Sequence, residues 1–300
     1  MSTENHQQNR TKTEEEKTPV SNNDHLRENL KQFVDIITTR YVNPFPLEDE
    51  SIETHISGLI LNSGELFFLS SHQLVGKTVF VTNLISDIAI RKQQSAGILS
   101  VKNDTHYVMS NIMSSISHIN RHKFRNVFFD ASDWENFTYA IKRINGKPLY
   151  IEHLPLDNLS RMLEKIEAFI TTHQLKVLAI DDFPVGAHNS HKAQEFVEFF
   201  SHLKQVAINN GCCLLITVNQ ERHCFECPDN EYRRPSVKRL AMSEEIRSLA
   251  NRFILIHRDC VFDLDKNNRD ADIILVTQED VETTIKTRFF GECSEFLNAF

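Results

Sequence analysis

Glycine and proline are scarce in this chain, at 8 residues each in 300. That scarcity excludes collagen-like, linker-like and turn-dense architectures. Cysteine is also sparse: 6 residues, two of them adjacent inside an apolar run (Cys212 and Cys213), do not make a disulfide framework and read as small core residues. Basic charge is in deficit, with 33 Lys and Arg against 41 Asp and Glu and a formal net charge of -8. Such a balance argues against coating nucleic acid through bulk charge, although a local basic channel remains compatible with it. No apolar run approaches the ~20 residues that span a bilayer, and the N-terminus is polar, without a hydrophobic signal segment. The expectation is a cytoplasmic protein with no membrane partner. What the chain has in quantity is phenylalanine, 21 copies, which points to a large apolar core.

Residues 1–24 contain almost nothing that packs and are expected to be a disordered polar tail. From Asp24, a helix cap, apolar residues recur at helical spacing (Leu26, Leu30, Phe33, Val34, Ile37), and Asn43-Pro44-Phe45-Pro46 ends the pattern. Residues 25–47 therefore read as an isolated linker helix, ahead of one domain over 48–300. Within that domain, short apolar runs alternate with amphipathic stretches. Strands are expected at 65–70, 97–101, 149–152, 176–180, 212–217, 253–257 and 273–276, with 284–289 closing a hairpin. Helices are expected at 76–91, 106–120, 133–143, 159–173 and 194–209. This alternation predicts an α/β fold with a mainly parallel central sheet flanked by helices.

Ser71-His72-Gln73-Leu74-Val75-Gly76-Lys77-Thr78 lies between an expected strand and an expected helix. A phosphate-binding loop needs inward-facing backbone N–H groups, a lysine for the β- and γ-phosphates and a hydroxyl for Mg²⁺. Gly76, Lys77 and Thr78 supply the last turn of that design, and Ser71 stands where the general pattern has its first glycine. Asp181 closes an apolar strand downstream, as a carboxylate holding the Mg²⁺ shell would. Asp182, beside it, reads equally as a solvated neighbour. ATP and Mg²⁺ are the cofactors implied.

The order and spacing of these segments resemble the C-terminal RecA-like motor domain of the DnaB-type replicative helicases, over roughly residues 24–300. The resemblance is carried by His55 to Leu59 with Gly64 to Leu66, by the phosphate loop, by Ala96 to Val101, by Asp133-Trp134 with Pro148 to Ile151, by Val177 to Asp181, and by Arg234-Pro235 through His257-Arg258-Asp259. It implies a RecA-like P-loop fold, ATP as ligand, single-stranded DNA as a partner, and ring assembly in which the 26–40 helix docks on a neighbour. That neighbour is an identical subunit, or a replicative helicase or other replication protein. The family's N-terminal primase-contacting domain has no counterpart in the expected organisation.

Several positions depart from the family pattern. Where the family carries its catalytic glutamate, this chain has Lys102, which while charged accepts no proton; general-base help is worth ~10²–10⁴-fold. Asp104, two residues on, substitutes only if its loop rearranges. Counting back from Phe289 and Gly291, the family's Lys-Asn-Arg-Asn-Gly finger falls on Val276 to Asp280, so its two cations become Val276 and Gln278. The glutamine that senses γ-phosphate matches Asn219, with Gln220 alongside. Arg222, Arg233, Arg234, Lys238 and Arg239 form a basic stretch near the expected central loops, read either as DNA-contacting or as a solvated surface. One Cys224-x-x-Cys227 pair preceded by His223 falls short of four ligands, and no structural metal is expected. The expected function is an ATP-binding helicase relative in DNA replication with impaired or lost hydrolysis. An active ring helicase is the alternative, and a RecA-family recombination or defence ATPase a third reading.

Overall fold

The computed structural model describes residues 51–126, 128–185, 190–220, 233–263 and 265–299. The expected tail, the 26–40 helix, Arg222 and the Cys224–Cys227 pair lie outside them. A nine-stranded sheet forms the body, in the order β11-β10-β9-β8-β3-β7-β6-β4-β5. Its parallel part comprises β3 (Leu66–Ser71), β4 (Ala96–Ser100), β5 (Leu149–His153), β6 (Val177–Asp181), β7 (Cys213–Asn219) and β8 (Arg252–His257). Every residue of β3, β4, β6 and β8 is buried. That is the condition of strands covered on both faces, and it explains their unbroken apolar runs.

Helix α1 (Lys77–Ile90) follows β3 and is buried from Val79 to Ile90. It is covered nearly all round because the sheet lies on one side and other elements on the rest, and its buried polar residues, Thr82, Asn83, Ser86 and Asp87, hydrogen-bond within that cover. Helices α2 (Thr105–Ser117), α3 (Arg121–Asn126) and α4 (Ala131–Ile144) connect β4 to β5. Helix α5 (Leu159–His173) precedes β6, and α6 (Ser190–Asn210) precedes β7. Both contribute to one core with the sheet, in which Phe68, Phe183, Phe199 and Phe200 pack edge-on or stacked at centroid distances of 5.3–5.4 Å. Seven of the 21 phenylalanines sit in that core. Cys212 is buried in it and Cys213 is buried too, and burial pushes the Cys212 thiol up to about 12.

The mainly parallel arrangement agrees with the sequence expectation, and the differences are local. The 106–120 helix stops at Ser117, where His118 turns left-handed (φ 55), and the chain restarts as α3. A short helix α7 (Glu244–Leu249), capped by Ser243, and two strand pairings were not anticipated. One joins β1 (Ile52–Glu53) to β2 (Ile60–Leu61); the other adds β11 (Glu295–Asn298) antiparallel to β10 (Glu282–Phe290). The expected closing hairpin is real but longer, β9 (Asp270–Thr277) pairing with both β8 and β10. Buried Asn83 on α1 fixes this annex, donating to Ser294 O at 2.9 Å and accepting from Phe296 N–H at 2.7 Å.

Candidate nucleotide-binding site

The carboxyl ends of the parallel strands meet on one edge of the sheet. Register places Ser71 opposite Asn219 and Ser100 opposite Asp181, so the residues just beyond β3, β4, β6 and β7 face a common cleft. Its volume is about 620 Å³, and it is lined by Gly76, Lys77, Thr78, Lys102, Asp182 and Asn219, among others. In open α/β sheets this edge is where ligands bind.

Gly76 occupies φ 114, ψ 27 at the start of α1, where no side chain caps the helix. A Cβ built there would lie 3.3 Å from the Phe289 and Phe296 rings. Only glycine combines that backbone with so close an approach, and the uncapped N–H groups of the first turn are left for an anion. Lys77 Nζ donates to Ser71 O at 3.4 Å, folding the lysine back over the loop. Burial pushes its ammonium below the ordinary value; Asp182 and then Asp181 pull it back up, and Lys102 pushes it further down. Ser71 itself contributes this carbonyl, while its hydroxyl donates to His72 O.

Thr78 Oγ1 donates to Asp181 Oδ2 at 2.9 Å, joining two residues 103 positions apart. Thr217 Oγ1 donates to Asp181 Oδ1 at the same distance. Asp181 is 1% exposed, and burial raises its pKa against the pull of the two hydroxyls. A carboxylate so desolvated, beside a hydroxyl at the mouth of a phosphate loop, suits a hard divalent cation, which relieves the cost of burying its charge. Thr78 and Asp181 are thus the pair that would hold Mg²⁺.

The remaining expected positions divide. Lys102 lies on the cleft wall with Nζ 4.0 Å from Asp182 Oδ2. Asp104 is committed elsewhere: its carboxylate accepts Tyr107 N–H at 2.8 Å and caps α2. Asn219 lines the cleft, whereas Gln220 is buried on the other side of the strand end beside Ser70. Asn219 ends β7, and Gln220, the next residue of the extended chain, bridges to Leu240 and turns the other way, so only Asn219 reaches the site. Val276 is 2% exposed and paired with Phe253 and Glu282 inside the sheet. The hairpin tip begins one residue after Thr277, where Gln278 donates to Ala250 O at 2.5 Å. Val276 therefore belongs to the core and not to a projecting finger. Tyr107 and Arg121 also line the cleft, with Phe289 and Gly291. No motif marks Tyr107 or Arg121 in the sequence.

The basic stretch abuts the loop from behind. His72 is buried, and its imidazole is lowered to about 4 by burial first, then by Arg239 and His257, with a hydrogen bond to the Arg233 backbone opposing. Arg239 donates to Arg234 O at 2.7 Å, and Arg234 donates to Thr284 Oγ1 at 3.2 Å, beside Glu282. Lys238 is exposed. Among the described residues, no group of three or more His, Cys, Asp or Glu could hold a metal ion, and no helix is long and apolar enough to cross a membrane.

Known proteins share this fold. The model of the DnaB-like helicase C-terminal domain matches residues 49–298. The replicative DNA helicase DnaC of Bacillus subtilis is 22% identical over 240 residues, covering 78% of this chain and 52% of its own. A probable plasmid replicative DNA helicase of Chlamydia psittaci is 18% identical, covering 85% and 55%. The chain spans about half the length of the curated relatives it matches. A solved ATPase domain superposes with a TM-score of 0.70 at 15% identity, over 92% of this chain and 99% of that one. A DnaB-like replicative helicase, solved with attention to its interactions with primase, gives the same TM-score at 16% identity over 80% and 58%. With a RecA-like sheet, a Gly-Lys-Thr loop tied to a strand-end aspartate and a match along nearly the whole described domain, the chain belongs to the DnaB-like helicase C-terminal domain family.

Proposed function

We propose that this domain binds ATP with Mg²⁺ between Lys77, Thr78 and Asp181, and serves DNA replication as a helicase-family subunit whose own hydrolysis is slow or lost. Lys102 carries this reading. It lines the cleft where the family places its glutamate, and its ammonium faces the same space as Lys77. Two ammonium groups favour a bound triphosphate but supply no base, and general-base help is worth ~10²–10⁴-fold. The hairpin tip adds to it: Gln278, Glu279 and Asp280 offer a neighbouring subunit no cation, and an arginine finger contributes ~10³-fold or more. Bound Mg²⁺ would neutralise charge on the β- and γ-phosphates. The chain's own part is to cradle them on the Gly76 to Thr78 N–H groups and to hold Lys77 against them.

The partners follow from two surfaces. Between α2, α3 and α4 lies an apolar groove of about 510 Å³, lined by Met109, Met113, Phe124, Phe137, Ile141 and Ile144. It matches in character the apolar spacing of residues 26–40, which in a second copy or in a replicative helicase would dock there and build a ring. Exposed Lys238 and Arg234, on the stretch that backs the phosphate loop, are the candidate contacts for single-stranded DNA.

The alternative, a working ring helicase, draws on the preserved Thr78–Asp181 contact. ATP binding and turnover, measured together with and without single-stranded DNA, separate the two. Binding without appreciable turnover, abolished in Lys77→Ala, is the expected result. Turnover strongly stimulated by DNA would sink the slow-hydrolysis reading.

A further inference from the structure

The cleft lacks a carboxylate at the end of β4 but not altogether. Among the described residues lining it, Asp182 is the one acid. Its placement is specific. Asp181 ends β6 with its side chain turned inward, and the chain then takes a left-handed conformation at Asp182, φ 59, which a non-glycine residue adopts at a cost. Thr217 enforces that turn: its hydroxyl oxygen accepts Asp182 N–H at 2.6 Å while its hydrogen goes to Asp181. The two successive aspartates thereby face different ways, Asp181 into the floor with Thr78 and Asp182 into the open cleft.

Its neighbours define what it faces. β4 and β6 are adjacent in the sheet, with Ser100 opposite Asp181. Asp182 and Lys102 therefore stand side by side just past the two strand ends, 4.0 Å apart. Asp182 is also the carboxylate that acts most strongly on Lys77. Asp182 is thus the carboxylate that the cleft presents beside Lys102, one strand over from the position where the family carries its glutamate.

We infer that Asp182 is this domain's catalytic carboxylate, moved from the end of β4 to the end of β6, with Lys102 as its positioning partner. The inference rests on the cleft holding ATP as proposed above. In the step, the water oxygen bonds to the γ-phosphorus while the bond from that phosphorus to the bridging oxygen breaks. ADP leaves with the electron pair, and an Asp182 oxygen takes the water proton, released later to solvent. The ion pair with Lys102 competes for the same oxygen, which fits a slow reaction.

Asp182→Asn is the suitable variant, because asparagine tolerates the left-handed backbone and keeps the N–H bond to Thr217. ATP affinity and phosphate release over hours would be measured for wild type, Asp182→Asn and Asp182→Glu, with Lys77→Ala as the blank. The expected result is unchanged or tighter ATP binding in Asp182→Asn with release lowered ~10²-fold or to the blank, and partial release retained in Asp182→Glu. Release from Asp182→Asn at the wild-type rate overturns the inference. So does wild-type binding with release no higher than the blank, which leaves the proposed nucleotide site standing. Failure of the wild type to bind ATP overturns both.

Discussion

Replacing Thr217 by valine removes a hydroxyl without changing side-chain volume. Thr217 is fully buried, and its oxygen serves two bonds, one to Asp181 Oδ1 at 2.9 Å and one from Asp182 N–H at 2.6 Å. The first is made to a carboxylate and is worth ~1.5–3 kcal/mol; the second, between neutral groups near the cleft, ~1 kcal/mol. No cavity is added, so Thr217→Val should cost roughly 3 kcal/mol of unfolding free energy at neutral pH. The pH dependence has a definite sign. Burial already holds the Asp181 carboxyl above its ordinary value of 3.8, and losing the Thr217 bond raises it further. The folded state then binds protons more tightly than the unfolded chain. Stability is therefore lost as pH rises from that ordinary value through the raised folded one. The deficit of the valine variant should open through that window and stay constant above it. Urea unfolding of the nucleotide-free protein across the window, with Thr217→Ser as the hydroxyl-retaining control, reads both effects. A valine variant within about 0.5 kcal/mol of wild type, the spread of ordinary surface changes, or a serine variant equally impaired, would refute the account of how the strand end is held.

Other perturbations test separate parts of the molecule. Gly76→Ala puts a methyl group 3.3 Å from two phenylalanine rings at φ 114, so stability should fall by about 1–3 kcal/mol and ATP affinity with it; calorimetric titration checks the second. Normal ATP affinity in that variant would mean the loop does not receive phosphate. Ile141→Asp places a charge on the groove between α2 and α4, where Ile141 is already 47% exposed. The monomer should keep its melting temperature within a few degrees while any larger assembly seen by sedimentation dissociates. Assemblies indifferent to the charge would exclude the groove as their contact.

How much could be read in advance depended on the range over which the physics acts. The turn from β3 into α1 is a local backbone requirement, so Gly76-Lys77-Thr78 marks it in consecutive residues. Asp181 ends an apolar strand, and that pattern too is local. Asn219 and Gln220 are inseparable by residue type, and the alternation of the extended chain past the end of β7 separates them. Val276 lies inside the sheet because the β9–β10 turn begins only at Gln278, and spacing back from Phe289 does not disclose where a turn falls. Tyr107 and Arg121 reach the cleft through the ends of α2 and α3, and apolar spacing says nothing of where a helix end comes to rest. β11 has four residues and α7 six, too few for any period to register. Asp182 was visible as a residue and opaque as a role, since its direction depends on a left-handed turn and a hydroxyl 35 positions away.

The alignment of strand ends on one rim has a consequence for how such a protein can change. The strands beneath that rim are buried along their length and hold the body together, while Lys102 and Asp182 stand on the rim's lip, the lysine's side chain 76% exposed. Substitution of Lys102 there is nearly invisible to the folding equilibrium, whereas the left-handed backbone at Asp182 restricts its replacements, so selection for a stable chain gives the chemistry of the lip only partial protection. An ancestor's catalytic residue can be exchanged, or its duty passed to the next strand, without any intermediate that fails to fold. The architecture insulates heredity of shape from heredity of activity.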